Sequence, residues 1–158
     1  MSDVGAEIDA LLDQAKRYWD VQDYAGLKSL WDMDEKDPYY QPEEVEELLV
    51  GWPAIEAYWA TNTKIMDKIT VSYGKAKAKL IAPDLAVAMF DLRWDAALKG
   101  RAPLGGDNRS TAIFRRKPEG WRFCHYIEAP LAPILYIRKL YEKDVEPAFR
   151  ERLAREGQ

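Results

Sequence analysis

Residues 109–130 read RSTAIFRRKPEGWRFCHYIEAP. Two runs rich in β-branched and aromatic residues flank a short basic turn with Pro118 and Gly120, the pattern of a β-hairpin. On the second run, strict alternation puts Trp121, Phe123, His125 and Ile127 on one face. Cys124, Tyr126 and Glu128 take the other. Hydrophobicity alone selects the first set as core.

The run before this hairpin, LAVAMFDLRWDAAL at 85–98, reads as a long strand. Ala86, Ala88, Phe90, Leu92 and Trp94 share one face, and Leu85, Val87, Met89, Asp91, Arg93 and Asp95 share the other. Both faces are apolar over the first half, so cover is expected on both sides. Upstream, Ile69, Val71 and Tyr73 alternate with polar residues, and the apolar parity changes after Gly74. A parity change at glycine predicts a bulge or a sharp bend.

The N-terminal part is helical in pattern. Ile8, Leu11, Leu12, Ala15, Tyr18 and Trp19 form a stripe, with Ser2 or Asp3 as the cap. A short second helix follows Asp23. DMDEKDPYYQ at 32–41 reads as irregular, and Pro42 introduces EEVEELLV, a short turn of helix with solvated glutamates. A third helix carries Ile55, Tyr58, Trp59 and Asn62 on one side. After Pro130 the pattern is helical again, with the stripe Ile134, Ile137, Tyr141, Val145, Phe149 and Leu153 and a break at Pro147. Helices, then strands, then a terminal helix make an α+β class.

Composition narrows function. The chain has 158 residues, the size of one domain, which is read over 1–158 with a core at about 5–130 and a helical extension at about 131–155. A net charge of −4 argues against nucleic acid, whose phosphates need a cationic surface. One cysteine and one histidine build neither a disulfide nor an ordinary zinc set, so no metal is expected. No signal peptide and no membrane span are read, and a cytoplasmic protein is expected. Six Trp and nine Tyr favour a pocket or an oligomer.

The motifs G-x-x-x-I-x-x-Y-W at Gly51–Trp59, RSTAIFRR at Arg109–Arg116 and GWRFCHY at Gly120–Tyr126 resemble those of the NTF2-like superfamily, in its SnoaL-like branch. The resemblance implies an α+β cone, with N-terminal helices packed in the concave face of a curved, mainly antiparallel sheet. It also implies a pocket between them, a homodimer through the outer sheet face, and a small-molecule ligand. Members include isomerases, dehydratases and cyclases that use no cofactor, as well as non-catalytic oligomerising or carrier domains.

The hairpin is also similar to the association domain of calcium/calmodulin-dependent protein kinase II, whose cavity holds arginines. By position, Arg93 matches one of them, while Thr111 and Glu128 replace two others and Ile55 replaces a histidine. This resemblance turns Cys124, Tyr126 and Glu128 inward and makes an Arg93–Glu128 pair the expectation. Asp91, Asp95 and Glu128 are then the candidate catalytic carboxylates. Arg93, Tyr18, Trp19, Tyr58, Trp59, Thr111 and Tyr126 are the candidate ligand contacts. The competing reading of Asp91, Arg93 and Asp95 is a solvent-facing ladder of little energetic consequence. His125 is read as an interface or structural residue.

Overall fold

The computed structural model describes residues 3–131 and 133–156, with the side chains of 133–136 left out. Ser2 and the Ile134 side chain therefore lie outside the described residues.

Helix α1 (Val4–Asp20) starts at Asp3, whose carboxylate accepts from the Gly5 N–H at 2.9 Å. It buries the expected stripe Ile8, Leu11, Leu12 and Ala15. Helix α2 (Tyr24–Ser29) is capped in the same way by Asp23, which accepts from the Gly26 N–H at 2.8 Å. Helix α3 (Gly51–Ile65) begins at Gly51 with φ +79°, a conformation that favours glycine.

The strands are β1 (Tyr39–Gln41), β2 (Leu49–Val50), β3 (Met66–Tyr73), β4 (Lys77–Ala82), β5 (Leu85–Leu98), β6 (Leu104–Lys117) and β7 (Gly120–Pro130). They form one sheet in the order β2-β1-β7-β6-β5-β3, and β4 also pairs with β5. The pairing is antiparallel except between β1 and β7. The parity change after Gly74 marks a bend between two strands that share one neighbour. β3 pairs with residues 92–98 of β5, and β4 with residues 85–89. The Asp9 carboxylate fastens the bend to α1 by accepting from the Ala76 N–H at 2.9 Å.

Two local readings change. Residues 42–48 are turn and bend rather than helix. Pro42 is buried, and the Gln41 side chain reaches across this segment to the carbonyl of Val45. The acidic stretch read as irregular ends in strand β1 at Tyr39–Gln41, and at its start Trp31 and Asp32 dock on β7, where the Asp32 N–H donates to the Phe123 carbonyl at 2.8 Å.

The core lies between α1, α2, α3 and the inner sheet face. Ile8, Leu12, Ile55, Ala86, Ala112 and Phe114 are its most enclosed members. Asp32, next to β7, is also buried, held by Arg115 at 2.7 Å and Lys117 at 3.0 Å. Burial works to raise its pKa, but these donors and the Asp34 N–H outweigh it and hold the carboxylate below its ordinary value.

Helices α4 (Pro133–Lys143) and α5 (Pro147–Arg155) follow the sheet, with the break at Pro147 as expected. Their apolar stripe is not packed away, since Ile137, Tyr141, Val145 and Phe149 are all exposed. No helix among the described residues is long and apolar enough to cross a membrane.

Candidate active site

The orientation of β7 depends on one residue. Opposite β6, Phe114 pairs with Phe123 and Ile113 with His125, so Cys124 is the extra residue of a β-bulge. Below the bulge Trp121 and Phe123 face inward, and above it Tyr126 does. Glu128, two residues on, enters the same concave side. Each competing set of alternate residues is therefore inward for half the strand. His125 turns outward, with its ring 5.6 Å from that of Tyr39, and burial lowers its pKa. Burial pushes the Cys124 thiol up to about 11, so it stays protonated.

A cavity of about 260 Å³ opens between α1, α3 and strands β3, β5 and β7. Its apolar wall comes from Ile69, Val71, Leu92, Trp94 and Ala96. Alternation on β3 and β5 carries these residues inward. Trp19, Tyr40, Tyr58 and Tyr73 supply aromatic surface, and Asn62, Glu44 and Glu128 supply polar groups. A smaller recess of about 30 Å³, room for a single water, lies deeper among Trp19, Trp59, Tyr126 and Glu128.

Glu128 is the electrostatic centre. The side chain is partly exposed, but the cavity is lined by that same residue, so its free surface looks into a largely apolar chamber. Removal from water, then the nearby negative charges of Glu44 and Glu43, push its pKa up from 4.5 to about 8. A Glu43 N–H at 3.4 Å and the Tyr126 hydroxyl oppose the rise only in part.

Four phenols surround this carboxyl. Burial raises the pKa of Tyr40, Tyr58, Tyr73 and Tyr126, and for each the Glu128 charge adds to the effect. They therefore remain neutral donors. Tyr126 interacts with both Glu128 and Tyr73, and its hydroxyl lies 3.2 Å from Ser110 Oγ.

The loop at 42–48 contributes what the helical reading of EEVEELLV hid. Trp94 Nε1 donates to Glu43 at 2.5 Å, and the Tyr58 hydroxyl donates to Glu44 at 2.5 Å. Asn108, with its amide oriented to suit its neighbours, donates to Glu43 at 2.6 Å. These contacts bind the loop across the cavity from β5 to α3.

The remaining expected site residues are placed as follows. Trp19 and Tyr58 line the cavity, while Trp59 and Tyr126 line its recess. Tyr18 packs on the core beside Gly26 instead of facing the cavity. Asp91, Arg93 and Asp95 are exposed on the outer sheet face, opposite Leu92, Trp94 and Ala96. Thr111 shares that outer face, between Met89 and Ile127. Arg93 pairs with Asp95, and with Asp107 at 3.6 Å, rather than with Glu128. The reason is parity: the apolar half of β5 had to face the core, which sends its charged half outward. Tyr40, Tyr73 and Glu44 were missed as cavity residues. For Tyr73 the signal was present in its alternation with Ile69 and Val71.

Asp32, Glu35 and Cys124 also present oxygen and sulfur atoms within 4.8 Å of one another. Arg115 already bridges the two carboxylates, at 2.7 and 3.0 Å, so the cluster is neutralised from within the chain.

Comparison with known proteins places this geometry. No curated protein matches the chain. Among solved structures it is similar to an NTF2-like superfamily protein from Salmonella enterica serovar Typhimurium, with a TM-score of 0.71 and 22% identity over 82% of this chain and 92% of that one. It is also similar to a protein with a cystatin-like fold from Caulobacter vibrioides, at TM-score 0.68 and 16% identity over 89% and 99% of the two chains. A hexachlorocyclohexane dehydrochlorinase of type 2 matches at TM-score 0.64 and 16% identity, over 81% and 88%. Residues 8–133 match the SnoaL-like domain. The chain therefore belongs to the SnoaL-like family, and its fold is the α+β cone of NTF2-like proteins.

Proposed function

We propose that the protein is a proton-transfer enzyme of isomerase, dehydratase or cyclase type, acting without a cofactor on a small carbonyl compound with an apolar or aromatic body. The observation that carries this reading is Glu128, a carboxyl facing open volume and titrating near neutrality, ringed by neutral phenols. A general base works best with a pKa near the working pH. An apolar cavity of about 150 Å³ takes benzene, so 260 Å³ suits a single substituted ring.

In the step proposed, the ionised Glu128 removes a proton from the carbon next to the carbonyl. The C–H electrons become the C=C bond of an enolate, whose oxygen accepts hydrogen bonds from the tyrosine hydroxyls. The carboxylic acid so formed returns the proton to another carbon, or the enolate expels a β-leaving group. Asp91, Asp95 and Arg93, on the outer face, take no part.

The test is hydrogen–deuterium exchange of a panel of single-ring ketones in D2O, followed by NMR. Exchange that rises with pH to a plateau above about 8, and falls at least a hundredfold in Glu128→Gln, is the expected result. Ketones that bind without exchanging would favour a carrier instead.

The pairing of two copies through the outer sheet face is kept as part of this proposal. Val87 pairs with Ile113, and Met89 and Ile127 flank Thr111, which gathers apolar groups on that face. Native mass spectrometry should give the mass of two chains, and a monomer at micromolar concentration would remove this part of the reading.

A further inference from the structure

The cavity has a one-sided charge. Glu44 and Glu128 line it, Glu43 lies against Trp94, and no Lys, Arg or His is among the described residues that line it. An anionic ligand would meet these carboxylates with no basic side chain among the described wall residues to receive it. Aromatic rings share the wall with these carboxylates. Trp19, Tyr40, Tyr58 and Tyr73 line the cavity with Glu128, and the three tyrosines all sense its charge. Aromatic faces beside a carboxylate are the usual surroundings of an organic cation.

An independent group also points to a ligand. Asn62 lines the cavity at 5% exposure, and among the described residues its Nδ2 makes no well-formed hydrogen bond, interacting only loosely with the Tyr58 hydroxyl. A buried amide donor left unpaired is costly, and an acceptor on a bound molecule relieves that cost.

We propose that the ligand is a single-ring organic amine, with its cationic nitrogen beside Glu128 against Tyr40, Tyr58 and Tyr73 of the cavity wall and an acceptor oxygen for Asn62. This inference rests on the reading of the cavity as a substrate site and names the class of that substrate. It also supplies a reason for the state of the carboxyl. The groups facing Glu128 are Glu43 and Glu44 from the loop, Tyr40 from β1, Tyr58 from α3, Tyr73 from β3 and Tyr126 from β7. Each is acidic or neutral. A cation entering among them stabilises the ionised carboxylate, so the substrate itself converts Glu128 into the base.

Calorimetry on the full chain at pH 7 tests this, with benzyltrimethylammonium as a probe of fixed charge and neopentylbenzene as its neutral isostere. The cation is expected to bind at least tenfold more tightly. Its binding should release a proton, measured across buffers of different ionisation enthalpy, and Glu128→Gln should abolish that release. If the neutral compound binds equally well or better, the amine proposal is overturned while the cavity remains a ligand site. If neither binds, both readings fall.

Discussion

Replacing Glu128 by Gln is expected to make the protein more stable at pH 9 by about 5 kcal/mol, and to change little at pH 4. In the folded state the carboxyl titrates at about 8, against 4.5 when free. Its raised pKa means that the folded state holds a proton which the unfolded chain releases. The associated stability is complete below 4.5 and is lost as the pH climbs through 8. At roughly 1.4 kcal/mol per pH unit, the gap between these values gives the size of the effect. Glutamine keeps the shape without ionising, so the loss should vanish. Urea denaturation of both proteins at pH 4 and pH 9 reads the difference directly. Parallel pH profiles would mean that the carboxyl is solvated like any surface glutamate.

Phe114→Ala is expected to cost a comparable amount, about 3–5 kcal/mol, at any pH. Phe114 is fully enclosed on β6, and its ring lies 4.8 Å from that of Phe123. It pairs with Phe123 at the position where the β7 bulge begins. Truncation leaves a void at the closed end of the cone, where α1 and the sheet meet, and the surrounding helices can fill it only in part. Equilibrium denaturation at pH 7 measures the loss. A cost under about 1 kcal/mol would show that the closed end collapses freely, and the bulge would then need other support.

The two predictions concern the two kinds of information in this chain. Most of the framework is legible because it rests on periodic burial. The stripe of α1 follows from spacing alone, as does the division of β5 into two rows, although the row expected to face the cavity was the charged one. The site is less legible because it depends on departures from that periodicity. Cys124 adds one residue to β7, so Phe123 and Tyr126 face the same way although simple alternation separates them. Residues 43–48 have a helix-forming composition, yet Glu43 and Glu44 are drawn to Trp94 and Tyr58, partners distant in sequence. Asp91, Arg93 and Asp95 drew attention as charges at regular spacing. Their parity with the exposed Met89 was the better guide.

A stability cost placed in the cavity fits a functional role for Glu128. Buried carboxyls without a basic partner are rarely kept for the fold, since an apolar or amide side chain serves packing better. In the proposed chemistry the same desolvation that weakens the folded state strengthens the base.

The most direct test of this account is a carbon-13 NMR titration of the side-chain carboxyls, with the Glu128 signal assigned by its loss in Glu128→Gln. The account predicts that this one carboxyl titrates near pH 8. A midpoint near the ordinary 4.5 would contradict it, because the carboxyl would then be solvated and Glu128 would have no claim to be the base.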